Sequence, residues 1–263
     1  MKSAKTHMSS NIESNPTVSF IVPALNEQFN LPRLFERLLA LGDRLDHGIE
    51  IVVVDDSSND QTLEIAHAAA KLHPEIRVFS KPLPHGLGRG IRFSLQHARG
   101  RIAIVAMADG VDPLEEAVPK FCEKILSEGC HLVLLSRYCA NADADTIPFS
   151  YKFFHVIFRL CTRYLLGIHY RDTTYAFRAI DLEFVRRLGL SGDAFEISPE
   201  ITFKTYFAGG RIGEVAGRQT RRVHGKSNFI FTKAARGYVR VLLQALGMRL
   251  SRRRVGVVAD AGT

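Results

Sequence analysis

The sequence predicts an α/β protein built on an open, doubly wound and mostly parallel sheet with helices on its faces. Short apolar runs rich in β-branched residues alternate with longer segments whose apolar residues recur at helical spacing. This alternation is typical of βαβ units, in which a helix connects neighbouring parallel strands. The chain has 263 residues, of which 46% are hydrophobic and 24% charged, so it can bury the core of one such sheet.

The first βαβ unit carries the pattern most clearly. Residues 18–22 and 51–54 are apolar runs of the kind expected for strands buried on both faces. The segment between them has leucines near helical spacing, with Asn30 as a candidate N-cap and Pro32 in the first turn. The alternation continues and predicts helices over 62–72, 90–98 and 115–128, and strands over 77–80, 102–107 and 131–135.

Two longer helices are predicted in the second half of the chain. Residues 149–166 are apolar and aromatic with cations spaced along them, which favours a helix with one apolar side. Residues 229–254 predict an amphipathic basic helix after a main domain at 17–228. This helix is expected either to lie on an anionic membrane or to pack on the core with its charged face in solvent. Residues 1–16 and 255–263 are expected to be disordered tails.

The positive charge is concentrated at one end of the chain. The net charge is +8, and residues 201–254 contain thirteen Lys or Arg against one acid, Glu214. A basic end on a mildly acidic body suggests a partner that carries phosphate. The charge alone leaves a nucleic acid, an anionic membrane surface and a phosphorylated substrate open. No helix-turn-helix, zinc or RNA-recognition signature supports a nucleic acid, so we expect none.

Several classes of protein are excluded by the motifs that the sequence lacks. Residues 1–16 are polar, unlike a signal peptide, and no window approaches the roughly 18 consecutive apolar residues of a membrane span. The four cysteines form no CxxC motif, have no His pair nearby at ligand spacing, and are expected to be reduced core thiols. A GxGxxG motif after the first strand and a P-loop are absent. We therefore expect a cytoplasmic protein that is neither a dehydrogenase nor a P-loop enzyme.

Polar clusters follow four of the predicted strands. One such cluster is typical of a capped turn, but four at the carboxyl edge of one sheet predict a shared ligand site. The carboxylates of Glu27, Asp56 and Asp109 suit a nucleoside and a divalent ion, whereas Arg137 and Arg222 suit phosphate. The residues therefore favour a site for a nucleoside diphosphate. The clusters occupy 23–27, 55–60, 108–110 and 136–138.

Nine segments carry a more specific pattern: VSFIVPALNE (18–27), IVVVDDSSNDQT (51–62), GLG (86–88), AD (108–109), SRY (136–138), DTTYAFR (172–178), Glu200, EV (214–215) and RVHGKS (222–227). In order and spacing they resemble family 2 glycosyltransferases, and the most similar branch is the dolichyl- or polyprenyl-phosphate mannosyltransferases. The resemblance implies a GT-A fold. It also implies an inverting transfer of a hexose, mannose or glucose, from a GDP- or UDP-linked donor to a polyprenyl or dolichyl phosphate.

The same resemblance implies roles for residues on the donor side. A first group would surround the nucleoside, and its members are Pro23, Leu25, Glu27, Val54 and Asp56. Ala108 and Asp109 would flank the diphosphate and the metal. Arg137 and Arg222 would hold phosphates.

Five residues are implied on the acceptor side. Lys152 falls where the family often has an arginine near the acceptor phosphate, so the charge is kept but bidentate pairing is lost. Asp172, Phe177 and Arg178 match the segment that shapes this side in the family. Glu200 is expected to act as a general base if the acceptor is a hydroxyl, or else to bind a sugar hydroxyl or cap a helix.

The metal site departs from the family pattern. The family's Asp-Ala-Asp is Met107-Ala108-Asp109 here, and a thioether does not bind a hard cation. Val111 also replaces a position that can supply another oxygen ligand in the family. We expect Mg²⁺ or Mn²⁺ at a weakened site, held by Asp109 with help from Asp112, or no metal requirement at all. A catalytically silent relative that still binds a sugar nucleotide is an alternative.

The acceptor decides the expected mechanism. A phosphate monoester is already anionic at neutral pH and can attack without a general base. A family 2 enzyme with a hydroxyl acceptor is a further alternative, and such an enzyme needs a general base. Catalysis is then expected to rest on Asp109 with the metal, and on Arg137, Arg222 and Lys152, which would neutralise and align two anions. A bilayer-borne acceptor predicts a peripheral protein on the cytoplasmic face of a membrane, and leaves room for a membrane-anchored partner subunit.

Overall fold

The computed structural model describes residues 16–138, 149–220 and 231–260. They contain a seven-stranded sheet of order β3-β2-β1-β4-β6-β5-β7. The strands are β1 (Val18–Ala24), β2 (Ile49–Asp55), β3 (Ile76–Ser80), β4 (Ile102–Val105), β5 (Leu132–Ser136), β6 (Arg178–Asp181) and β7 (Ile212–Ala216).

The helices alternate with the strands through β5, as predicted. In the described part of the chain they are α1 (Leu31–Gly42), α2 (Thr62–Leu72), α3 (Leu87–His97), α4 (Leu114–Leu126), α5 (Phe149–Cys161), α6 (Leu182–Arg186), α7 (Ile197–Phe207) and α8 (Phe231–Asp260). The predicted helix over 149–166 is α5 followed by a π-helical turn, Thr162–Leu166. That turn ends at Gly167, whose φ of +74° favours glycine.

The strand pairing confirms a mostly parallel sheet. β1 pairs in parallel with β2 and β4, and β2 pairs in parallel with β3. β6 lies antiparallel between β4 and β5, and β7 runs parallel to β5. All strands except β6 therefore end at the same edge. The polar clusters that follow β1, β2, β4 and β5 meet at this edge, which we call the carboxyl edge.

Two strands, β6 and β7, were not predicted from the sequence, and the reason is physical. β6 has the sequence RAID and β7 has IGEVA, so neither offers an apolar run or a clear alternation. Their positions are set by pairing with β4 and β5, which is a long-range interaction.

Two hydrophobic cores lie on opposite faces of the sheet because strand side chains alternate. On one face, Phe20 of β1 packs with Leu34 of α1 and Phe121 of α4. On the other face, Val52 of β2 packs with Ile91 of α3. Both groups are almost fully buried. These layers hold the carboxyl edge rigidly, as a ligand site requires.

A third core joins α5, α7 and α8. Phe158 of α5 and Phe203 of α7 pack with Ala234, Tyr238 and Val241 of α8. These last three residues belong to the apolar face predicted for the basic helix, and they are buried. The structure therefore corrects the expectation that this face lies on a membrane, because protein already covers it. The helix also runs to Asp260, past the predicted boundary at 254.

Some expectations lie outside the described residues. These include the tails at 1–15 and 261–263, Cys139, and the segment 221–230 with Arg222. No helix in the described ranges is both long and apolar enough to cross a membrane. The remaining cysteines, Cys122, Cys130 and Cys161, are free thiols.

Candidate functional site

The loops after β1 and β2 form the side of the carboxyl edge that was assigned to the nucleoside. Pro23 and Val54 are paired in register on these adjacent strands. Glu27 is buried, and its carboxylate accepts a 2.6 Å hydrogen bond from the Asn30 amide. Leu25 is half-buried beside it. The predicted nucleoside residues are therefore brought together.

Asp56 has a cationic partner that the sequence analysis missed. Lys81, directly after β3, places its Nζ 2.6 Å from Asp56 Oδ1. The backbone N–H of Gly86 donates to Asp56 Oδ2 at 2.7 Å. Lys81 is buried, and Nζ also donates to the carbonyls of Pro82 and Pro84. In the sequence, a role for Lys81 at this site is indicated only by its position, directly after a strand that ends at the same edge.

The glycine-rich segment before α3 serves packing. A Cβ at Gly88 would lie 2.4 Å from the carbonyl oxygen of Gly192, and one at Gly86 would lie 2.2 Å from that of Asp193. Gly86 also has a φ of +155°. Glycine is therefore required because the backbone of residues 192–194 approaches closely.

The loop after β4 carries Asp109. Asp109 lines a cleft of about 270 Å³ together with Asn30, Arg33, Leu34, Arg37, Gly110 and Thr220. Arg37 supports this loop from α1, because Nη1 donates to the Gly110 carbonyl at 2.6 Å and Nη2 to the Asp112 carbonyl at 2.9 Å. Gly110 has a φ of +68°, which glycine adopts without strain.

Asp112 lies behind this loop, which corrects the expectation that it helps to bind a metal. Its carboxylate accepts from the Met107 backbone N–H at 2.9 Å and from the Tyr175 hydroxyl at 2.6 Å. Only 1% of Asp112 is exposed, and burial raises its pKa to about 7. Asp112 therefore fixes the loop shape and leaves Asp109 as the carboxylate at the cleft.

Arg222 was predicted on a loop of this edge and lies outside the described residues. Thr220, two positions earlier, donates through its backbone N–H and its hydroxyl to the Val111 carbonyl, at 3.0 and 3.1 Å. The chain leading to Arg222 is therefore anchored to the Asp109 loop.

A buried ion pair joins the loop after β5 to residues 172–178, which were predicted for the acceptor side and which we call the acceptor segment. Arg137 Nε donates to Asp172 Oδ2 at 2.7 Å, and Nη2 donates to Oδ1 at 3.3 Å. Burial, the largest single effect, would raise the pKa of Asp172, but the charge and hydrogen bonds of Arg137 and the smaller effects of His155 and Thr174 together hold this pKa below its usual range. The Arg137 guanidinium also lies over the Tyr175 ring, 4.2 Å from its centroid.

Phe177 and Arg178 support the acceptor segment from inside. The ring of Phe177 is fully buried, 5.1 Å from that of Phe121. Arg178 on β6 is 1% exposed and donates to the carbonyls of Thr173, Tyr175 and Ser198 and to the hydroxyl of Thr202. Neither residue reaches the surface, so any influence of either on the acceptor side is through the shape of this segment.

Glu200 of α7 is likewise fully engaged. Its carboxylate accepts from the backbone N–H groups of Ser191 and Gly192, at 2.9 and 2.6 Å, and pairs with Lys204 at 2.8 Å. These donors outweigh the effect of burial and lower the pKa of Glu200. The carboxylate therefore orders the turn before α7, a structural role that differs from the helix cap offered among its predicted alternatives.

Helix α5 brings polar side chains to the acceptor side. Thr174 donates to Asp172 Oδ1 at 3.1 Å, so its oxygen can accept from Nδ1 of His155, 3.0 Å away. Burial and then the charge of Arg137 lower the pKa of His155 to about 4, so the imidazole is neutral at pH 7. Lys152 lies one turn before His155 on the same helix.

The residues around Asp109 fit a divalent ion that the substrate helps to hold. The described residues contain no group of three or more His, Cys, Asp or Glu side chains placed to bind a metal. Met107, in the family's first acidic position, packs against a hydrophobic core. Mg²⁺ is commonly held by one or two carboxylates plus substrate phosphates. Asp109 and a bound diphosphate would form such a set.

The sheet order and the polar carboxyl edge define an α/β protein with a GT-A-like fold. The sequence profile of the family described as "Glycosyl transferase family 2" matches residues 19–189. The chain belongs to this family, as its motifs predicted.

Several curated proteins are similar to the chain. Dolichol-phosphate mannosyltransferase of Pyrococcus furiosus is 31% identical over 191 residues, which cover 71% of this chain and 52% of that protein. Undecaprenyl-phosphate mannosyltransferase of Micrococcus luteus is 30% identical over 217 residues, covering 79% and 85%. Dolichyl-phosphate beta-glucosyltransferase of Drosophila melanogaster is 30% identical over 191 residues, covering 67% and 55%. The chain thus spans about half the length of two relatives and most of the third.

Solved structures share the fold. Glucosyl-3-phosphoglycerate synthase from Mycobacterium tuberculosis in complex with UDP has a TM-score of 0.65 at 21% identity, covering 88% of this chain and 80% of that chain. A structure of the same enzyme with Mn²⁺, UDP-glucose and phosphoglyceric acid has a TM-score of 0.64 at 22% identity. At this level of identity the likeness establishes the fold alone, and it confirms the predicted GT-A architecture.

Proposed function

We propose that this chain is an inverting glycosyltransferase that moves a hexose from a nucleoside-diphosphate sugar to a polyprenyl phosphate. The choice of a phosphate as acceptor rests on one observation, that both carboxylates of the acceptor side already have partners within the protein. Asp172 is paired with Arg137, and Glu200 is held by Lys204 and two backbone N–H groups. Neither is placed as a general base for a hydroxyl, whereas a phosphate needs none. The similar polyprenyl-phosphate enzymes support the same acceptor.

The transfer needs two anions aligned around one sugar. An oxygen of the acceptor phosphate attacks the anomeric carbon, the bond from that carbon to the diphosphate breaks, and the nucleoside diphosphate leaves with the electron pair. No proton has to move, and the configuration inverts. Asp56 and Glu27 bind the nucleoside, while Arg137, Arg222 and Lys152 offset the negative charge.

A divalent ion held by Asp109 and the diphosphate would neutralise charge on the leaving group. With Met107 in place of an acid, the protein would contribute fewer ligands to such an ion, and the diphosphate of the donor would supply the others. Arg37 and Asp112 keep the loop in the shape that presents Asp109.

Thermal stabilisation tests the donor site. Purified protein is heated with GDP, UDP, GDP-mannose or UDP-glucose, each with and without Mn²⁺. A ligand that binds only the folded state raises Tm by mass action, and we expect a metal-dependent rise with one nucleotide class. That donor should then glycosylate a polyprenyl phosphate in detergent. Stabilisation without transfer to any acceptor would point to the silent relative, and transfer only to a hydroxyl would refute the phosphate acceptor.

We propose further that the protein docks peripherally on an anionic membrane through α5 and the π-helical turn. Large apolar side chains on the outer side of these elements are 41% to 73% exposed: Phe153, Val156, Ile157, Leu160, Tyr164 and Leu165. No acid occurs from Phe149 to Leu166, while Lys152, Arg159 and Arg163 do. An apolar stripe flanked by cations favours the interface of an anionic bilayer. This surface replaces the buried face of α8 as the candidate membrane contact.

Vesicle binding tests this surface. Leu160→Ser is expected to weaken binding to vesicles of anionic phospholipid roughly ten-fold, because one leucine side chain loses its burial in the bilayer. Leu72→Ser is the matched control, since Leu72 is 77% exposed on α2, away from α5. Equal binding by both variants and the wild type would refute α5 as the docking surface, and binding unaffected by lipid charge would refute the role of the cations.

A further inference from the structure

Two guanidinium groups approach one aromatic ring at the acceptor side. The Cζ atom of Arg137 lies 5.9 Å from the centroid of the Tyr138 ring, and that of Arg159 on α5 lies 5.8 Å from the same centroid. Arg137 was predicted to hold phosphate, whereas no role was predicted for Arg159. The fold brings them together from elements far apart in the sequence.

The two arginines differ in how their charge is balanced. The charge of Arg137 is offset by Asp172, and its Nη1 donates to Gln219. Arg159 is half-buried, and no carboxylate of the described residues lies within ion-pair distance of it. A partly desolvated cation without an anion is unfavourable. Arg159 is therefore a cation at this side whose charge no carboxylate of the described residues balances.

The Tyr138 hydroxyl is a second group without a partner. Its oxygen is inaccessible to solvent and has no hydrogen-bond partner in the structure as described. Burial raises the pKa of Tyr138 even though Arg137 and Arg159 act in the opposite direction, so the hydroxyl keeps its proton. A protonated hydroxyl beside two cations can donate to an anionic oxygen.

Lys152 extends the same positive environment along α5. Lys152 precedes Arg159 by seven positions, which places both on one face of the helix. His155 lies between them and is neutral at pH 7, since its pKa is lowered to about 4 by burial and by Arg137. The acceptor side thus concentrates positive charge next to the exposed apolar stripe.

We propose that the Arg159 guanidinium and the Tyr138 hydroxyl bind the phosphate of the acceptor, next to Arg137. This inference rests on the proposed function and assigns the acceptor phosphate to specific groups. Asp172 balances part of the charge of Arg137, and Arg159 adds further positive charge that the phosphate compensates. The position of Arg159 beside the apolar stripe lets the prenyl chain extend toward the bilayer while its phosphate reaches the donor.

A binding titration in solution separates phosphate recognition from attraction to a membrane. The full chain, saturated with the nucleoside diphosphate that stabilises it, is titrated calorimetrically with geranyl phosphate, a short prenyl phosphate. Arg159→Gln is expected to raise Kd roughly ten- to a hundred-fold, because it removes a charge-assisted hydrogen bond. Tyr138→Phe should raise Kd several-fold. Nucleotide binding should be unchanged in both variants, which a merely structural defect would not allow.

Arg163→Gln is the matched control, since Arg163 is an exposed cation one turn further along. It should leave the Kd for geranyl phosphate unchanged, and Arg159→Lys should recover most of the affinity if Arg159→Gln is poorly folded. An unchanged Kd in Arg159→Gln, or equal losses in Arg163→Gln, would overturn the assignment while the proposed function stood. Failure of the wild type to bind any prenyl phosphate, despite binding nucleotide, would overturn both.

Discussion

Replacement of Asp172 by alanine is expected to lower the free energy of unfolding by about 3 to 5 kcal/mol, because it leaves Arg137 buried without its counter-charge. Asp172 is 2% exposed and Arg137 8% exposed, so water cannot replace the lost partner. Urea denaturation at pH 7 measures the change. Transfer activity should also fall, since Arg137 would no longer be held by the two hydrogen bonds that orient it.

An exposed ion pair provides the control. Glu183 and Arg187 on the surface near α6 are paired but mostly exposed, so Glu183→Ala should cost less than about 1 kcal/mol. If Asp172→Ala also lowered the free energy of unfolding by less than about 1 kcal/mol, the expected stabilisation by the buried ion pair would be contradicted. The pH dependence gives a second check, because the pKa of Asp172 is lowered in the folded state. Its contribution is present above the pKa of an unfolded aspartate and disappears as the pH falls through the folded value.

Replacement of Asp109 by alanine is expected to reduce the transfer rate by roughly a hundred-fold or more, with little change in Tm. A group that stabilises developing charge commonly contributes this much to a rate. Asp109 is half-buried at the cleft, and its loop is held instead by Arg37 and Asp112, so the fold should persist. Initial rates with saturating donor and acceptor, at several Mn²⁺ concentrations, measure the effect.

Two further variants sharpen this experiment. Met107→Asp supplies the acid that the family pattern contains, and we expect it to lower the Mn²⁺ concentration needed for half-maximal rate. Glu116→Ala is the control, since Glu116 is an exposed acid on the neighbouring helix α4. An Asp109→Ala variant with wild-type activity and metal dependence would show that the metal is held elsewhere.

Much of the carboxyl edge is predictable because it depends on local sequence. Strands β1, β2 and β4 are short apolar runs, and polar residues such as Asp56 and Asp109 lie in the loops that follow them. Parallel strands place their carboxyl ends together, so the sequence alone predicts that Glu27, Asp56 and Asp109 lie at one site. The family motifs occupy the same loops, which is why the resemblance and the topology agree.

Roles that depend on side-chain partners were not predictable in this way. Phe177, Arg178 and Glu200 belong to recognisable motifs, yet all three are buried and engaged within the protein. Conversely, Lys81 and Arg159 carry no distinctive sequence signal. A charged residue looks the same in the sequence whether or not a counter-charge neutralises it. Only its neighbours in space determine whether it is neutralised.

The sequence by itself determined the α/β class, the family and the edge of the sheet where the candidate site lies, because these follow from periodicity and from motifs that are local. Only the tertiary structure decided which charges are already balanced and which apolar surface remains exposed. Asp172 is paired across 35 positions of the chain, and the apolar face of α8 is covered by α5 and α7. Such long-range packing leaves Arg159 without a described carboxylate partner and the outer side of α5 uncovered.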